Sequence, residues 1–369
     1  MSAAAIRCAV LPPVPVPYRE PLFERLAARP GIDLRVIYQA ADEPGWDMHP
    51  DWFVREHDYD ALTLRSWQRA RAGRTPLVWP RGVERELDRF DPGCVIAWEY
   101  GPAALRAQRW CRRRGRAHVV FSELTPDSAM ALGTMQLRLH SRVARRAAGF
   151  VAASSSARAR LLALGVPAEA IEVSLQSVDA SAIRAARARA HDRDRGGAGP
   201  LRVLTVGRLV ADKNIAALID AAGEGVELEI CGDGPLRAEL QARAGAGVTF
   251  SGYVAPADLP AVYARADAFA LVSTFEPFGV ALREAVAAGL PVVCSRAVGA
   301  AADLALDGRN ALLVDPGSAD QIGIALARLA ADPGLRARMA AESVAIDAAH
   351  DIDASVDAFA RAITRAVGP

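Results

Sequence analysis

Apolar positions along the chain gather into short continuous runs, separated by longer segments with a helical period. In the first half the runs are Ile6–Leu11, Leu34–Tyr38, Cys94–Trp98, His118–Phe121 and Phe150–Ala153. In the second half they are Leu201–Gly207, Val226–Cys231, Val248–Phe250, Ala268–Leu271, Pro291–Cys294 and Ala311–Val314. Runs that are apolar at every position predict strands of a parallel sheet covered on both faces. Segments such as Ile215–Ala222, Leu236–Ala244, Val280–Ala288 and Ala319–Ala331 carry the helical period between them. This alternation predicts an α/β protein with two Rossmann-like domains facing a cleft. The segment from Asp192 to Pro200 is polar, Gly-rich and aperiodic, and it reads as a linker. The expected division is therefore a first domain over 1–191, the linker 192–200, a second domain over 201–350, and a last helix over 351–369. The stretch from Asp42 to Arg81 has no clean period. All six Trp (46, 52, 67, 79, 98, 110) lie between positions 46 and 110. This region reads as an elaboration able to shape a ligand pocket, although core packing is the simpler account of most of the rings.

Composition narrows the class. No apolar run reaches the ~18 residues of a spanning helix, and the start has no signal-peptide pattern, so a soluble cytoplasmic protein is expected. The five cysteines are odd in number and form no CxxC, so neither a disulfide framework nor a zinc site is expected. The net charge of +1 hides an asymmetry. Residues 1–199 carry 30 Arg against 22 Asp and Glu, a balance of +8; residues 200–369 carry 14 Lys and Arg against 21, a balance of −7. The basic part is densest at Arg109, Arg112, Arg113, Arg114 and Arg116, with Arg138, Arg142, Arg145 and Arg146 further on. Anionic lipid headgroups at a membrane periphery or a merely solvated helix face both fit this cluster. No nucleic-acid-reading module accompanies it.

Of the 44 Lys and Arg, only Lys213 is a lysine. A chain that uses Arg wherever a cation serves has kept one compact ammonium on a flexible stem, a group suited to reach a phosphate as a point charge. Lys213 follows the strand-like Leu201–Gly207, in a loop that begins with Arg208. In open α/β sheets, ligands bind at that end of a strand. A second constellation follows Ala268–Leu271, where Glu276-Pro277-Phe278-Gly279-Val280 opens a helix that carries Glu284. Pro277 suits a first turn. Gly279 permits close approach of a ligand, and the N–H groups around Phe278, Gly279 and Val280 form an anion site at the positive end of the helix. Glu284 can accept two hydrogen bonds from a vicinal diol. Two cations and helix N–H groups neutralise a diphosphate without metal, and the DxD spacings at Asp192/Asp194 and Asp351/Asp353 sit in the linker and at the last helix. No metal and no bound cofactor are expected.

In order along the chain stand Gly207-Arg208, Lys213-Asn214, Gly232-Asp233-Gly234-Pro235, Val248–Val254 and the pair Glu276/Glu284 with its E-x7-E spacing. This set resembles the retaining glycosyltransferases of family four, which have the GT-B fold. The resemblance covers most of residues 200–330. It implies a nucleotide diphosphate sugar as donor, bound by the second domain, and an acceptor bound by the first. It implies that Arg208 and Lys213 hold the diphosphate, that Glu284 binds the ribose, that Glu276 faces the sugar, and that Gly252, Tyr253 and Val254 lie by the nucleobase. It implies transfer with retained configuration, and a last helix that returns to the first domain. The first half departs from the pattern. Pro12–Pro17 replaces a glycine-rich loop, His118 lies at the wrong end of its strand, and Glu123 takes the place where a His is usual. Glu123 is therefore the candidate catalytic contact on that side, beside Arg208, Lys213 and Glu276. A lipid-linked acceptor and a small natural product both remain open. So do two other readings of the whole chain: a nucleotide-sugar epimerase, and an inactive binding protein at a membrane surface.

Overall fold

A computed structural model describes residues 5–43, 49, 52–71, 74–130, 132–176, 178–191 and 199–368. The chain divides into two units, residues 1–177 with 352–369, and residues 178–351. The strands of the first unit are β1 (Ile6–Leu11), β2 (Ile32–Tyr38), β3 (Ala61–Thr63), β4 (Ser66–Arg71), β5 (Arg74–Pro80), β6 (Cys94–Trp98), β7 (Ala117–Ser122), β8 (Gly149–Ala152) and β9 (Ile171–Val173). Seven of them form a sheet in the order β3-β2-β1-β6-β7-β8-β9, parallel at every pairing. Its central strands β6 and β8 are buried at every position, which is why they read as unbroken apolar runs. The irregular stretch before β6 supplies the edge strand β3 and a separate antiparallel ribbon, β4–β5, with Trp67 opposite Trp79. Both of these rings are half exposed, whereas Trp98 and Trp110 are buried. Trp46 lies outside the described residues.

The second unit holds β10 (Leu201–Val206), β11 (Val226–Cys231), β12 (Val248–Gly252), β13 (Ala268–Leu271), β14 (Val292–Ser295) and β15 (Ala311–Val314), in the order β12-β11-β10-β13-β14-β15. All pairs are parallel. Both units are thus Rossmann-like. In each sheet the order reverses at one point, between β1 and β6 and between β10 and β13, where an open α/β sheet presents its ligand crevice.

The boundary between the units falls earlier than the sequence suggests. Helix Ser181–His191 packs on helix Leu259–Arg265 of the second unit. Arg187 donates to the carbonyls of Ala264 and Ala266 at 3.2 and 2.9 Å, and Arg184 pairs with Asp347 at 2.6 Å. A polar, Arg-rich helix gives no sequence sign of which core it joins. Most of the expected linker, with Asp192 and Asp194, lies outside the described residues. The last helix, Ile352–Val367, belongs to the first unit. Phe359 stacks on Phe121, Ser355 donates to the Leu175 carbonyl, and Asp353 and Asp357 pair with Arg25 and Arg29. All five cysteines are buried and unpaired. Among the described residues no helix is long and apolar enough to cross a membrane.

Candidate active site

In the second unit, backbone contacts draw the strand ends together. Gly207 N–H donates to the Cys231 carbonyl at 3.0 Å, Leu209 to Asp233 at 2.9 Å, and Gly232 to Gly252 at 2.7 Å. The ends of β10, β11 and β12 are therefore laced into one rim. A Cβ on Gly232 would lie 1.8 Å from the Gly207 carbonyl oxygen, and one on Gly234 would lie 2.7 Å from that of Leu209. The Gly-Asp-Gly run exists because no side chain fits between these loops.

Lys213 sits on this rim. The chain turns at Asn214, which has φ +55°, and the Asn214 amide donates to the carbonyls of Val272 and Pro316 at 3.1 and 2.8 Å. These bonds fix the Lys213 turn to the far sides of β13 and β15. The lysine stem lies over Gly207, whose absent Cβ would sit 3.5 Å from Cε. Its Nζ donates to Glu276 Oε2, and both side chains are mostly buried. Arg208, on the same loop, is partly exposed.

Glu276 and Phe278 are held by donations to their carbonyls from Gly299 and Ala300, at 2.8 and 2.9 Å. The turn into helix Val280–Ala287 is made at Gly279, with φ +101°, where a Cβ would come within 2.9 Å of Val298 Cγ1. The Phe278 side chain is buried, so only its backbone can face a ligand. One turn into this helix, Glu284 Oε2 accepts from Tyr263 Oη at 2.6 Å. Burial pushes the Glu284 carboxyl up to about 7, against the lowering effect of the Tyr263 hydrogen bond. Behind it Arg283 is fully buried and pairs with Asp347, which fastens the helix to helix Pro333–Ala349. The structure thus brings Lys213, Glu276, Gly279, Val280 and Glu284 to the reversal point between β10 and β13. Gly252, Tyr253 and Val254 stand at the end of β12, two strands away in the same sheet.

The first unit carries a second cluster at its own reversal point. Glu123, just after β7, accepts from Arg19 Nη2 at 2.9 Å and from Trp98 Nε1 at 3.1 Å. The Arg19 guanidinium also lies over the Trp98 ring, 4.8 Å from its centroid. Glu99, just after β6, has φ +53°, in the left-handed region. Its Oε1 accepts the Glu123 N–H at 2.5 Å and its Oε2 accepts the Ser122 hydroxyl at 3.0 Å. Burial, and then the charge of Glu123, push Glu99 up to about 7. Sequence reasoning singles out Glu123 in this cluster and misses Glu99, Trp98 and Arg19. The available sign was a carboxylate placed directly after a fully apolar strand. Tyr263 and the anchoring role of Asn214 were likewise missed. His118 is buried at the far end of β7, and burial lowers it to about 4.

Comparison with known proteins agrees with this architecture. The family described as glycosyl transferases group 1 matches residues 189–344, and the glycosyl transferase 4-like domain matches residues 15–174. An alpha-D-kanosaminyltransferase of Streptomyces kanamyceticus is 31% identical over 178 residues, covering 45% of this chain and 46% of that protein. A GDP-mannose-dependent alpha-(1-6)-phosphatidylinositol monomannoside mannosyltransferase of Mycolicibacterium smegmatis is 29% identical over 315 residues, covering 79% of this chain and 82% of that one. The chain spans about half the length, or less, of several curated relatives it matches. Among solved structures, Anabaena Alr3699/HepE in complex with UDP-glucose superimposes with a TM-score of 0.71 at 20% identity, covering 96% of this chain and 99% of that one. Sucrose-phosphate synthase from Thermosynechococcus elongatus gives 0.74 at 19% identity, covering 96% and 98%. Each half is thus matched by a glycosyl transferase domain model, and beneath each match lies a Rossmann-like unit of the kind found in the GT-B fold.

Proposed function

We propose that this chain moves a sugar from a nucleotide diphosphate sugar to an acceptor hydroxyl with retained configuration. The observation that carries the reading is the meeting of Lys213, Glu276 and the Gly279 helix start at one strand-order reversal, with Glu284 a turn deeper. An ammonium has three donors, so Lys213 can keep Glu276 and still reach a diphosphate. Arg208 supplies a second cation, and each charge-assisted bond contributes about 1.5–3 kcal/mol. The backbone N–H groups of Gly279 and Val280, at the start of the helix, complete the anion site. These groups stabilise the charge that grows on the departing diphosphate, so no metal is needed for that task. Glu276 orients the sugar hydroxyls, Glu284 accepts the ribose diol, and Gly252–Val254 flank the base. Glu123 contacts donor sugar or acceptor. The Mycolicibacterium smegmatis relative is GDP-mannose-dependent, and HepE was crystallised with UDP-glucose, so these two donors head the panel. Their names also include a phosphatidylinositol mannoside transferase and a kanosaminyltransferase, which keeps lipid-linked and small acceptors together in the screen.

Thermal-shift screening with nucleotide sugars identifies the donor, because a ligand that binds only the native state raises the melting temperature. With that donor, Lys213→Ala and Glu284→Ala each lower turnover by more than about tenfold. NMR of the product gives the anomeric configuration. Near-normal rates from both variants, at saturating and subsaturating donor, overturn the assignment.

A further inference from the structure

One face of the first unit is cationic and apolar at once, and the donor chemistry does not use it. Helix Thr134–Ala144 has exposed residues throughout Thr134–Arg138. Met135 is 85% exposed, Met130 just before it is 84% exposed, and Leu137 is 38% exposed. Isolated exposed aliphatic groups are ordinary; two nearly bare methionines and a partly exposed leucine within eight residues, among exposed arginines, depart from that. The same helix and its end carry Arg138, Arg142, Arg145 and Arg146, all exposed. Helix Pro102–Arg114 lies alongside, with Gln108 Nε2 donating to the Val143 carbonyl at 3.0 Å, and it adds exposed Arg109, Arg112 and Arg113.

The charges on this face are unbalanced. No Asp or Glu occurs between Glu99 and Glu123, or between Asp127 and Glu169. At the end of the same helix, Arg114 and Arg116 turn away to pair with Asp88 and Asp91. Among the described residues, the seven arginines of the face form no ion pair. A solvated helix face of ordinary kind mixes both signs, as the Asp88 side of this unit does. Cations that form no ion pair, beside long apolar side chains held out in water, are the composition of a surface that seats in the headgroup layer of a bilayer.

We propose that this face docks the protein on an anionic phospholipid bilayer, with Met130, Met135 and Leu137 entering the headgroup boundary and the arginines meeting lipid phosphates. The docking is independent of the transferase reading above. It is tested by sedimenting the full chain with vesicles of phosphatidylcholine, alone or mixed with phosphatidylglycerol. Binding is expected only to the mixed vesicles, and it weakens as salt shortens the screening length from about 10 Å at 0.1 M to about 3 Å at 1 M. Replacing Arg142, Arg145 and Arg146 together by Ser weakens binding by about a hundredfold, or about fivefold for each charge. Met130→Ser with Met135→Ser weakens it by about tenfold. Retention of this methionine variant on immobilised heparin stays unchanged. Equal binding to phosphatidylcholine alone, or full binding by the arginine variant, overturns the proposal. So does full vesicle binding by the methionine variant combined with competition from duplex DNA, which marks a general polyanion site. Should the arginine variant melt early, the methionine pair at fully exposed positions carries the test.

Discussion

At the reversal point of the second unit, backbone meets backbone. Gly232 and Gly234 let the strand-end loops touch, and Gly279 lets a helix begin against Val298. Only then do Lys213, Glu276 and Glu284 enter. At the matching point of the first unit, side chains make the contact. Arg19 and Trp98 hold Glu123, and Glu99 bridges β6 and β7 from a left-handed backbone. A backbone-built rim has no room for a side chain at Gly232 or Gly234, so its shape is fixed by the main chain. A side-chain network can be rebuilt residue by residue without moving the main chain.

The sharpest way to break this comparison is to add one methyl group to each side. Gly232→Ala places a Cβ 1.8 Å from a backbone oxygen, so the rim has to open. A loss of about 3 kcal/mol or more in denaturant unfolding is expected, together with loss of the thermal shift given by the donor. Gly101→Ala, just past β6 of the first unit, meets nothing within 4 Å and costs within about 1 kcal/mol. If the two substitutions cost the same, the distinction between backbone-built and side-chain-built sites is wrong.

This difference also decides what the sequence could reveal. The buried parallel strands were legible because both of their faces are covered. β3 and β9 are three-residue edge strands, too short to give a period. The β4–β5 ribbon exposes Trp67 and Trp79, so apolar composition there did not mean burial. The place of helix Ser181–His191 in the second unit rests on Arg184 and Arg187 finding Asp347 and two carbonyls far along the chain, which local composition does not record. The second-unit rim was legible because its glycines stand in an ordered set of motifs, and because a lone lysine stood out among 43 arginines. The first-unit cluster was not. Glu99 matters through a positive φ and through its distance from Glu123, and neither is written in local composition.

Each unit also holds one carboxyl raised to about 7, with burial as the first cause. On the proposed reading, the charge state of the second unit's carboxyl controls binding. Glu284 accepts a diol well only when ionised, so the affinity for UDP or GDP, whichever binds, falls about tenfold for each pH unit below 7. Titration calorimetry across pH 5.5 to 8.5 (approximate limits set around that value) reads this slope. Glu284→Gln flattens it as well as weakening binding. An unchanged slope in that variant removes Glu284 from the ribose site.

In the first unit the same raised carboxyl affects stability more than binding, and the effect is smaller. The folded state holds Glu99 at about 7, above the ordinary value of 4.5, so its ionised form is disfavoured by folding. Below 4.5 the group is protonated in both states and costs nothing. Between those values the penalty grows, and above 7 it is complete. Glu99→Gln removes it. The remaining carbonyl oxygen can still accept the Glu123 N–H, and the Ser122 hydroxyl can turn to accept from the new amide. The variant is therefore expected to match the parent in unfolding free energy at low pH and to exceed it by on the order of 1 kcal/mol above pH 7. Parallel stability curves for the two proteins would mean that Glu99 titrates normally. The carboxyl pair would then be no more than a strand-end contact, with Glu123 left to Arg19 and Trp98 alone.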